Sequence, residues 1–89
     1  MNHERIIHIL NYITRATDEK HGVTINDIRE HLANSAGMYD VSELTVRRDI
    51  ERLETAGYQI TKTKGAHNTV YYHLTNKSFT VGELLTLFP

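Results

Sequence analysis

Residues 42–57 predict a short amphipathic helix with both ends marked, and this is the strongest local signal in the chain. Ser42 can accept a hydrogen bond from the free N–H groups of a first helical turn, and Gly57 can supply the left-handed residue that ends a helix. Between them, Val46, Ile50 and Leu53 recur at helical spacing and predict one buried stripe. The chain must therefore provide other elements against which this stripe can pack.

The exposed side of this predicted helix carries two adjacent arginines, Arg47 and Arg48. At about 100° of rotation per residue, Leu44 and Arg48 point away from the buried stripe, while Thr45 and Arg47 lie on its two flanks. An arginine pair on a helix is most often just part of a solvated face. The pair therefore indicates a ligand only if the rest of the chain builds a surface around it.

A carboxylate, Asp49, follows the two arginines directly and lies beside the buried stripe. On a surface that binds anions, an exposed carboxylate at this position would be repulsive. We therefore expect Asp49 to be structural and to hold Arg52 or Arg29 in an ion pair.

Two more amphipathic helices are predicted before this one. Apolar residues spaced three and four apart predict a first helix over residues 2–17, and the polar residues 18–22 end it. Thr24 and Asp27 have the spacing of a capping box, which predicts the start of a second helix of about three turns. Residues 34–41 are then the predicted turn before the third helix. The predicted buried stripes are Ile6, Ile9, Leu10 and Ile13 in the first helix, and Ile25, Ile28 and Leu32 in the second.

Residues 58–74 predict a two-stranded β-hairpin, because apolar and polar residues alternate on both sides of a polar turn. The turn, residues 64–68, contains Lys64 and His67, and no acidic residue occurs between residues 58 and 73. Three helices followed by a hairpin with a basic tip predict a mainly helical α+β fold, the winged helix-turn-helix.

Length and composition favour one small soluble domain. The 89 residues can bury only a single modest core, and the absence of cysteine excludes disulfides and thiolate metal sites. No apolar run approaches the roughly 20 residues needed to span a bilayer, and the polar start does not resemble a signal peptide, so we expect a cytoplasmic location. The formal net charge of −1 argues against binding of nucleic acid through bulk positive charge, but it permits a local basic patch.

No constellation of residues indicates catalysis or a cofactor. The chain has six histidines, but they form no His-x-x-x-His pair and have no cysteine partner. It also lacks a glycine-bracketed serine and a glycine-rich phosphate-binding loop. We therefore expect no metal site, no cofactor and no enzymatic activity.

The third predicted helix resembles a known recognition helix. The run Ser-Glu-Leu-Thr-Val-Arg-Arg-Asp-Ile at residues 42–50, with Leu53 and Gly57-Tyr58 after it, is similar to the signature of DeoR-type bacterial transcription regulators and of the N-terminal domains of WYL-domain regulators. Two features favour the second group. The hairpin ends in Tyr71-Tyr72 instead of opening with paired glycines, and residues 79–84 resemble the Phe-Thr-x-x-Glu-Leu segment that begins the connector to the effector domain. The resemblance implies that the third helix enters the major groove of DNA and that the hairpin tip follows the backbone or the minor groove.

The C-terminal residues 78–89 form a predicted unit of their own. Thr80 and Glu83 have the spacing of a capping box, and the residues around them are too apolar for a free tail. These residues either pack onto the first helix or form a dimer surface, and the resemblance implies that they lead on to an effector domain. We therefore expect a DNA-binding domain over residues 1–77 and a short helix or connector over residues 78–89.

The resemblance and the side-chain chemistry together indicate candidate DNA contacts. Arg48 has the guanidinium geometry for the O6 and N7 atoms of guanine, and Arg47 could share that task or bind a phosphate. Ser42 and Thr45 suit phosphate contacts, and Leu44 could touch a thymine methyl group. The full set of candidate DNA-binding residues is Ser42, Leu44, Thr45, Arg47, Arg48, Arg52, Lys62, Lys64 and His67.

Several of these residues also have simpler interpretations. Leu44 could cover a neighbouring side chain, and Thr45 could bond back to the preceding turn of its own helix. Lys62 and Lys64 would protect a hairpin edge against aggregation even in a protein with no ligand. The sequence leaves both kinds of interpretation open.

We expect a sequence-specific, double-stranded DNA-binding domain of a bacterial transcription regulator that acts as a homodimer on a two-fold related operator. One alternative is a winged helix for protein–protein interaction, in which the apolar C-terminal helix is the working surface. Another is RNA binding, which would require Tyr71 to be exposed for base stacking. DNA binding would weaken steeply with salt, whereas an apolar protein interface would change little.

Overall fold

The structure, a computed structural model, describes residues 3–75 and confirms the predicted order of elements. Three helices are followed by an antiparallel hairpin whose strands are joined through a short 3-10 turn. The elements are α1 (His3–Ala16), α2 (Ile25–Ala36), α3 (Glu43–Thr55), β1 (Ile60–Lys64) and β2 (Val70–Leu74). This is the mainly helical winged-helix arrangement. The predicted C-terminal helix, with the capping box of Thr80 and Glu83, lies outside the described residues.

Helix α2 begins and ends at residues with specific backbone roles. The Thr24 hydroxyl accepts from the Asp27 N–H, and the Asp27 carboxylate accepts from the Thr24 N–H, both at 3.0 Å, which confirms the predicted capping box. Gly37 adopts a φ of +67°, the left-handed conformation that ends the helix. The predicted turn over residues 34–41 is therefore wrong in residues 34–36, which belong to α2.

Helix α3 has the boundaries that its flanking residues predict. The Ser42 hydroxyl accepts from the Thr45 N–H at 3.1 Å, and Gly57 follows the last turn with a φ of +109°. Val46, Ile50 and Leu53 are all buried, so the predicted stripe is confirmed. The buried stripe fixes which face of α3 is presented to solvent.

The core lies where the three helices meet strand β2. Burial of its apolar side chains is the main stabilising contribution to a domain of this size. Of the predicted stripe of α1, Ile6 and Leu10 are only partly buried at the edge of the core. The buried apolar residues are Ile9, Ile13, Val23, Ile25, Ile28, Leu32, Val46, Ile50, Leu53, Ile60, Tyr72 and Leu74.

The hairpin is anchored at its base to the segment between α1 and α2. Val23 and Tyr72 exchange two backbone hydrogen bonds, of 3.0 and 2.7 Å, in an antiparallel bridge. The buried hydroxyl of Thr17 accepts from the Leu74 N–H at 3.0 Å and donates to the Ile13 carbonyl at 2.7 Å. The base of the hairpin is therefore bonded directly to the end of α1 and to the chain before α2.

The side chain of His73 completes this anchor. His73 is a buried polar residue inside β2. Its Nδ1 lies 2.9 Å from the Asp18 carbonyl oxygen, to which it donates, and its Nε2 lies 2.9 Å from the Thr63 hydroxyl. Gly22 leaves room for the ring, because a Cβ at that position would lie 2.6 Å from His73 Nε2.

Helices α1 and α2 also meet through an aromatic stack. The rings of Tyr12 and His31 have centroids 4.2 Å apart and are inclined by 17°. Burial raises the pKa of Tyr12 and lowers the pKa of His31, because the charged form of each group is disfavoured away from water. The two side chains therefore contribute to the contact between α1 and α2.

Candidate nucleic-acid interface

The exposed face of α3 presents the adjacent arginines Arg47 and Arg48 in different states. Arg47 Nη2 lies 3.9 Å from a carboxylate oxygen of Glu43 one turn earlier. The Arg48 side chain is also exposed and makes no hydrogen bond or ion pair within residues 3–75. A guanidinium in this state keeps its five N–H donors for an external acceptor. Arg48 is therefore the α3 side chain most available to a ligand.

The first turn of α3 adds two hydroxyls and an apolar side chain to this face. Ser42 Oγ and Thr45 Oγ1 are 2.9 Å apart, so one hydroxyl donates to the other and one O–H remains to donate outward. Thr45 thus bonds to the N-cap side chain and not to a carbonyl of the preceding turn. Leu44, beside them, is 52% exposed. These three predicted contact residues lie together at the start of the helix.

Glu43 lies between two arginines at the start of α3. Its carboxylate oxygens are 3.9 Å from Arg47 and 4.0 Å from Arg29 of α2. Arg29 is held by a 2.8 Å hydrogen bond from its Nε to the Val41 carbonyl, in the turn between α2 and α3. An acidic side chain therefore lies between two basic side chains at the start of α3.

Asp49 is fully buried on α3 and binds two arginines. Arg5 of α1 donates to both carboxylate oxygens, from Nε and, at 3.2 Å, from Nη2, while Arg52 donates from Nη1 at 2.8 Å. The hydrogen bond to Asp49 raises the pKa of Arg5 above its usual value. The predicted structural role of Asp49 and its ion pair with Arg52 are confirmed, whereas Arg29 donates to Val41 instead.

The partner that the sequence pattern did not identify is Arg5. It lies 44 residues before Asp49, and no local spacing connects the two. Its only sequence signal is a basic residue next to the apolar stripe of α1. Arg52, a candidate DNA contact, is held by Asp49 at one nitrogen, but its side chain is 41% exposed, so its contact with DNA stays a prediction.

The hairpin, hereafter the wing (residues 58–74), presents its cations along β1 and in the turn. Lys62 Nζ lies 3.9 Å from a carboxylate oxygen of Glu54 on α3 and 5.9 Å from the centre of the Tyr72 ring. The side chains of Lys64 and His67 are exposed and make no hydrogen bond or ion pair in the part of the chain that the structure describes. The wing thus has one cation, Lys62, close to α3, and two side chains at its tip, Lys64 and His67, that are available to a ligand.

A cleft separates the start of α2, the start of α3 and the turn of the wing. Asn26, Arg47 and Asn68 line it, together with Glu43 and Thr69. Asn68 has a φ of +60°, in keeping with the turn role expected for it. The sequence pattern did not single out Asn26 or Thr69, because an isolated polar residue on an exposed position carries no signal of its own. Guanidinium and amide N–H groups around one cleft can bind phosphate oxygens.

Tyr39 is a further exposed residue that the sequence pattern did not identify. Its side chain is 75% exposed in the turn between α2 and α3, the highest value among the large apolar side chains of residues 3–75. A lone aromatic residue in a polar turn is the signal that could have identified it. Its phenolic O–H can donate to an acceptor outside the protein.

A protein-family model described as a DeoR-like helix-turn-helix domain matches residues 3–70. This range covers the three helices, β1 and the turn of the wing. No curated protein and no solved structure matches the chain. Within the described range, no helix is long and apolar enough to cross a membrane, and no group of three or more acidic or histidine side chains could hold a metal ion.

Proposed function

The chain belongs to the DeoR-like helix-turn-helix domain family, and from this membership we propose that it is the sequence-specific, double-stranded DNA-binding domain of a transcription regulator. A helix-turn-helix domain of this family implies DNA as the partner, and the family is typically not enzymatic. The observation that carries the proposal is the exposed pair Arg47 and Arg48 on α3, a helix whose other face is packed into the core.

In the proposed complex, α3 lies in the major groove. Arg48, which has no partner among residues 3–75, contacts a guanine edge, and Arg47 shares this contact or binds a phosphate. Ser42 and Thr45 bind backbone phosphates at the start of the helix, and Leu44 contacts a thymine methyl group. The exposure of Leu44 supports its part in this assignment.

The wing lies along the backbone or in the minor groove in the same complex. Lys64 and His67, which are exposed at its tip, contact phosphates, and Lys62 contributes from β1. Arg52 is a weaker member of the set, because Asp49 already holds one of its nitrogens. Phosphate contacts of this kind set the register of the protein on the duplex without reading its sequence.

The proposal extends to the assembly that would use this domain. A bacterial regulator of this type acts as a homodimer on a two-fold related operator in the cytoplasm, at the nucleoid. Residues 78–89 connect the domain over residues 1–77 to an effector domain of the WYL type in this proposal. The sequence resemblance in residues 79–84 supports this extension.

The alternative of RNA binding has less support from the geometry. It needs an exposed Tyr71 on which a base can stack. The Tyr71 side chain is only partly exposed, and one edge of its ring, at Cε2, lies 2.6 Å from where a Cβ of Gly65 would stand. The ring therefore packs against the backbone of the wing turn.

Fluorescence anisotropy with a labelled random-sequence duplex at low salt tests the proposed function. The intact chain is compared with the double variant Arg47→Ala, Arg48→Ala, after circular dichroism has shown that both fold. A matched control, Arg15→Ala, Lys20→Ala, removes the same charge from the end of α1 and the loop after it. Loss of two phosphate or base contacts should weaken binding by at least about ten-fold, whereas the control should bind nearly as the intact chain does.

Binding that is strong at low salt, falls steeply with added salt and is lost only in the α3 variant supports the proposed interface. Absence of binding by the intact chain, or equal binding by the α3 variant and the intact chain, contradicts it. In that case the alternative of a protein partner becomes the better explanation for the exposed arginines.

A further inference from the structure

Two of the cations proposed to bind DNA lie beside exposed carboxylates of α3. Arg47 lies 3.9 Å from Glu43, and Lys62 lies 3.9 Å from Glu54. Both carboxylates belong to α3, one in its first turn and one in its last turn. The helix that presents the basic face therefore also carries competitors for that face.

Both of these pairs are loose and exposed. The exposed fractions of the side chains are 55% for Arg47 and 49% for Glu43, and 52% for Lys62 and 37% for Glu54. The distances exceed that of a hydrogen bond, so each pair is held by Coulombic attraction in a well-hydrated setting. A phosphate oxygen at hydrogen-bonding distance can displace such a carboxylate.

The pair between Arg52 and Asp49 differs in both respects. Its atoms are 2.8 Å apart, and the carboxylate is fully buried and shared with Arg5. A phosphate could replace Asp49 at Arg52 only by leaving the buried carboxylate with Arg5 as its one remaining guanidinium partner, which is costly. The exchangeable pairs are therefore those of Glu43 and Glu54.

Glu43 has a second basic neighbour, which strengthens its part in this arrangement. Arg29 Nη1 lies 4.0 Å from it, and the Nε of the same guanidinium is fixed by its hydrogen bond to Val41. The carboxylate is thus attracted to a cation that cannot move far toward DNA. This neighbour keeps Glu43 beside Arg47 in the absence of DNA.

We propose that Glu43 and Glu54 are internal competitors of the DNA phosphates, which occupy Arg47 and Lys62 in the free protein and weaken binding to duplex DNA of any sequence. The inference rests on the proposed function, since it describes how the same face is regulated. Binding exchanges a carboxylate for a phosphate at each of the two cations, and each released carboxylate is left near the DNA backbone. The affinity of one domain is thereby kept low, and occupancy depends on further contacts such as base reading by Arg48.

A double-variant cycle on random-sequence duplex at low salt tests this inference. Glu43→Gln should tighten binding about three-fold, the size expected for release from exposed ion pairs. Glu51→Gln is the matched control, because Glu51 is exposed on the same helix and makes no ion pair or side-chain hydrogen bond within the described residues. In the Arg47→Ala background, Glu43→Gln should have no more effect than Glu51→Gln does. The advantage of Glu43→Gln should shrink as salt screens the pair.

The second pair provides an independent cycle. Glu54→Gln should tighten binding by up to about three-fold, and in the Lys62→Ala background its effect should be no larger than that of Glu51→Gln. The inference is overturned if Glu43→Gln and Glu54→Gln have no more effect than Glu51→Gln. It is also overturned if their gains above Glu51→Gln persist without Arg47 and Lys62. Either result leaves the proposed function intact. Absence of duplex binding by the intact chain overturns the proposed function and the inference with it.

Discussion

A carboxylate with no access to water is stable at Asp49 because two guanidinium groups share it. Arg5 approaches from α1 and Arg52 from one turn further along α3, so both carboxylate oxygens have donors. Removal of one partner from such a cluster is costly, since it leaves charge in a poorly hydrated place. The same residue that anchors α3 to α1 thus also restrains one of the proposed DNA contacts.

Asp49→Ala should lower the free energy of unfolding by about 3 kcal/mol, because Arg5 is left without its buried acceptor. Urea denaturation followed by circular dichroism measures the change. Glu51→Ala, on the exposed side of the same helix, should change stability by less than about 0.5 kcal/mol. Equal losses in the two variants would show that the cluster adds no stability beyond helix propensity.

The contacts between elements depend on single polar groups in specific places. Thr14 lies in α1, and Thr17 follows the end of that helix. Each hydroxyl donates a 2.7 Å hydrogen bond to the carbonyl four residues earlier. Only Thr17 is buried, and only its hydroxyl also accepts from the Leu74 N–H of β2. Two threonines with the same local geometry therefore differ in whether they join α1 to the wing.

Thr17→Val should destabilise the protein by about 1–3 kcal/mol, because the Leu74 N–H loses its buried acceptor. Thr14→Val removes the same kind of hydroxyl from the surface and should cost less than about 0.5 kcal/mol. Urea denaturation gives both values. If hydrogen exchange at the Leu74 amide is faster in the Thr17 variant alone, the stability is lost at the contact between Thr17 and the wing. Similar stability of the two variants would refute the role assigned to Thr17.

The elements were predictable because their signals are local. The caps of α2 and α3 lie within three residues of the groups they satisfy, and the stripe of α3 repeats within a few turns. The contacts that assemble the elements have no such signal. The pairing of Val23 with Tyr72 and the pairing of Arg5 with Asp49 join residues that are far apart in sequence, so only the folded chain shows them.

The residues of the candidate site also divide into those with a local sequence signal and those that only the folded chain brings together. Arg48 and the tip of the wing were predictable, because exposure follows from the helical period and from the turn. The intramolecular partners of Arg47 and Lys62 were not, since the positions of long side chains depend on how α2, α3 and the wing meet. Only the structure therefore shows that the candidate interface also contains Glu43, Glu54 and Asn26.

The whole molecule carries a net charge of −1, so its attraction to DNA must come from how charge is distributed. Carboxylates of α3 lie next to Arg47, Arg52 and Lys62, so within residues 3–75 the cations of α3 and of the wing that have no ion-pair partner are Arg48 and Lys64. A single domain of this kind should make few phosphate contacts. We therefore expect modest affinity from one copy and a benefit from dimerisation on paired half-sites.

Lys64→Ala should make the slope of log affinity against log salt concentration shallower by about 1, since one phosphate contact of the wing is lost. Lys20→Ala removes an equal charge from the loop after α1 and should leave the slope unchanged. Anisotropy titrations at four or more salt concentrations give both slopes. A slope that changes equally in both variants would mean that overall charge, and not contact by the wing, governs the affinity.

Among residues 3–75, hydrogen bonds join the wing to the rest of the domain at its base, and this has a mechanical consequence. Strand β2 is fixed at its base by Val23 and Thr17, while the tip with Lys64 and His67 projects beyond those supports. The position of the tip is therefore set by contacts at the base of the wing, which belongs to the same packed domain as α3. In the proposed complex, with α3 in the major groove, the tip should reach phosphates only within a narrow span, so we expect binding to depend on the distance between neighbouring grooves. Duplexes whose groove width is altered should then be distinguished even where no base is touched.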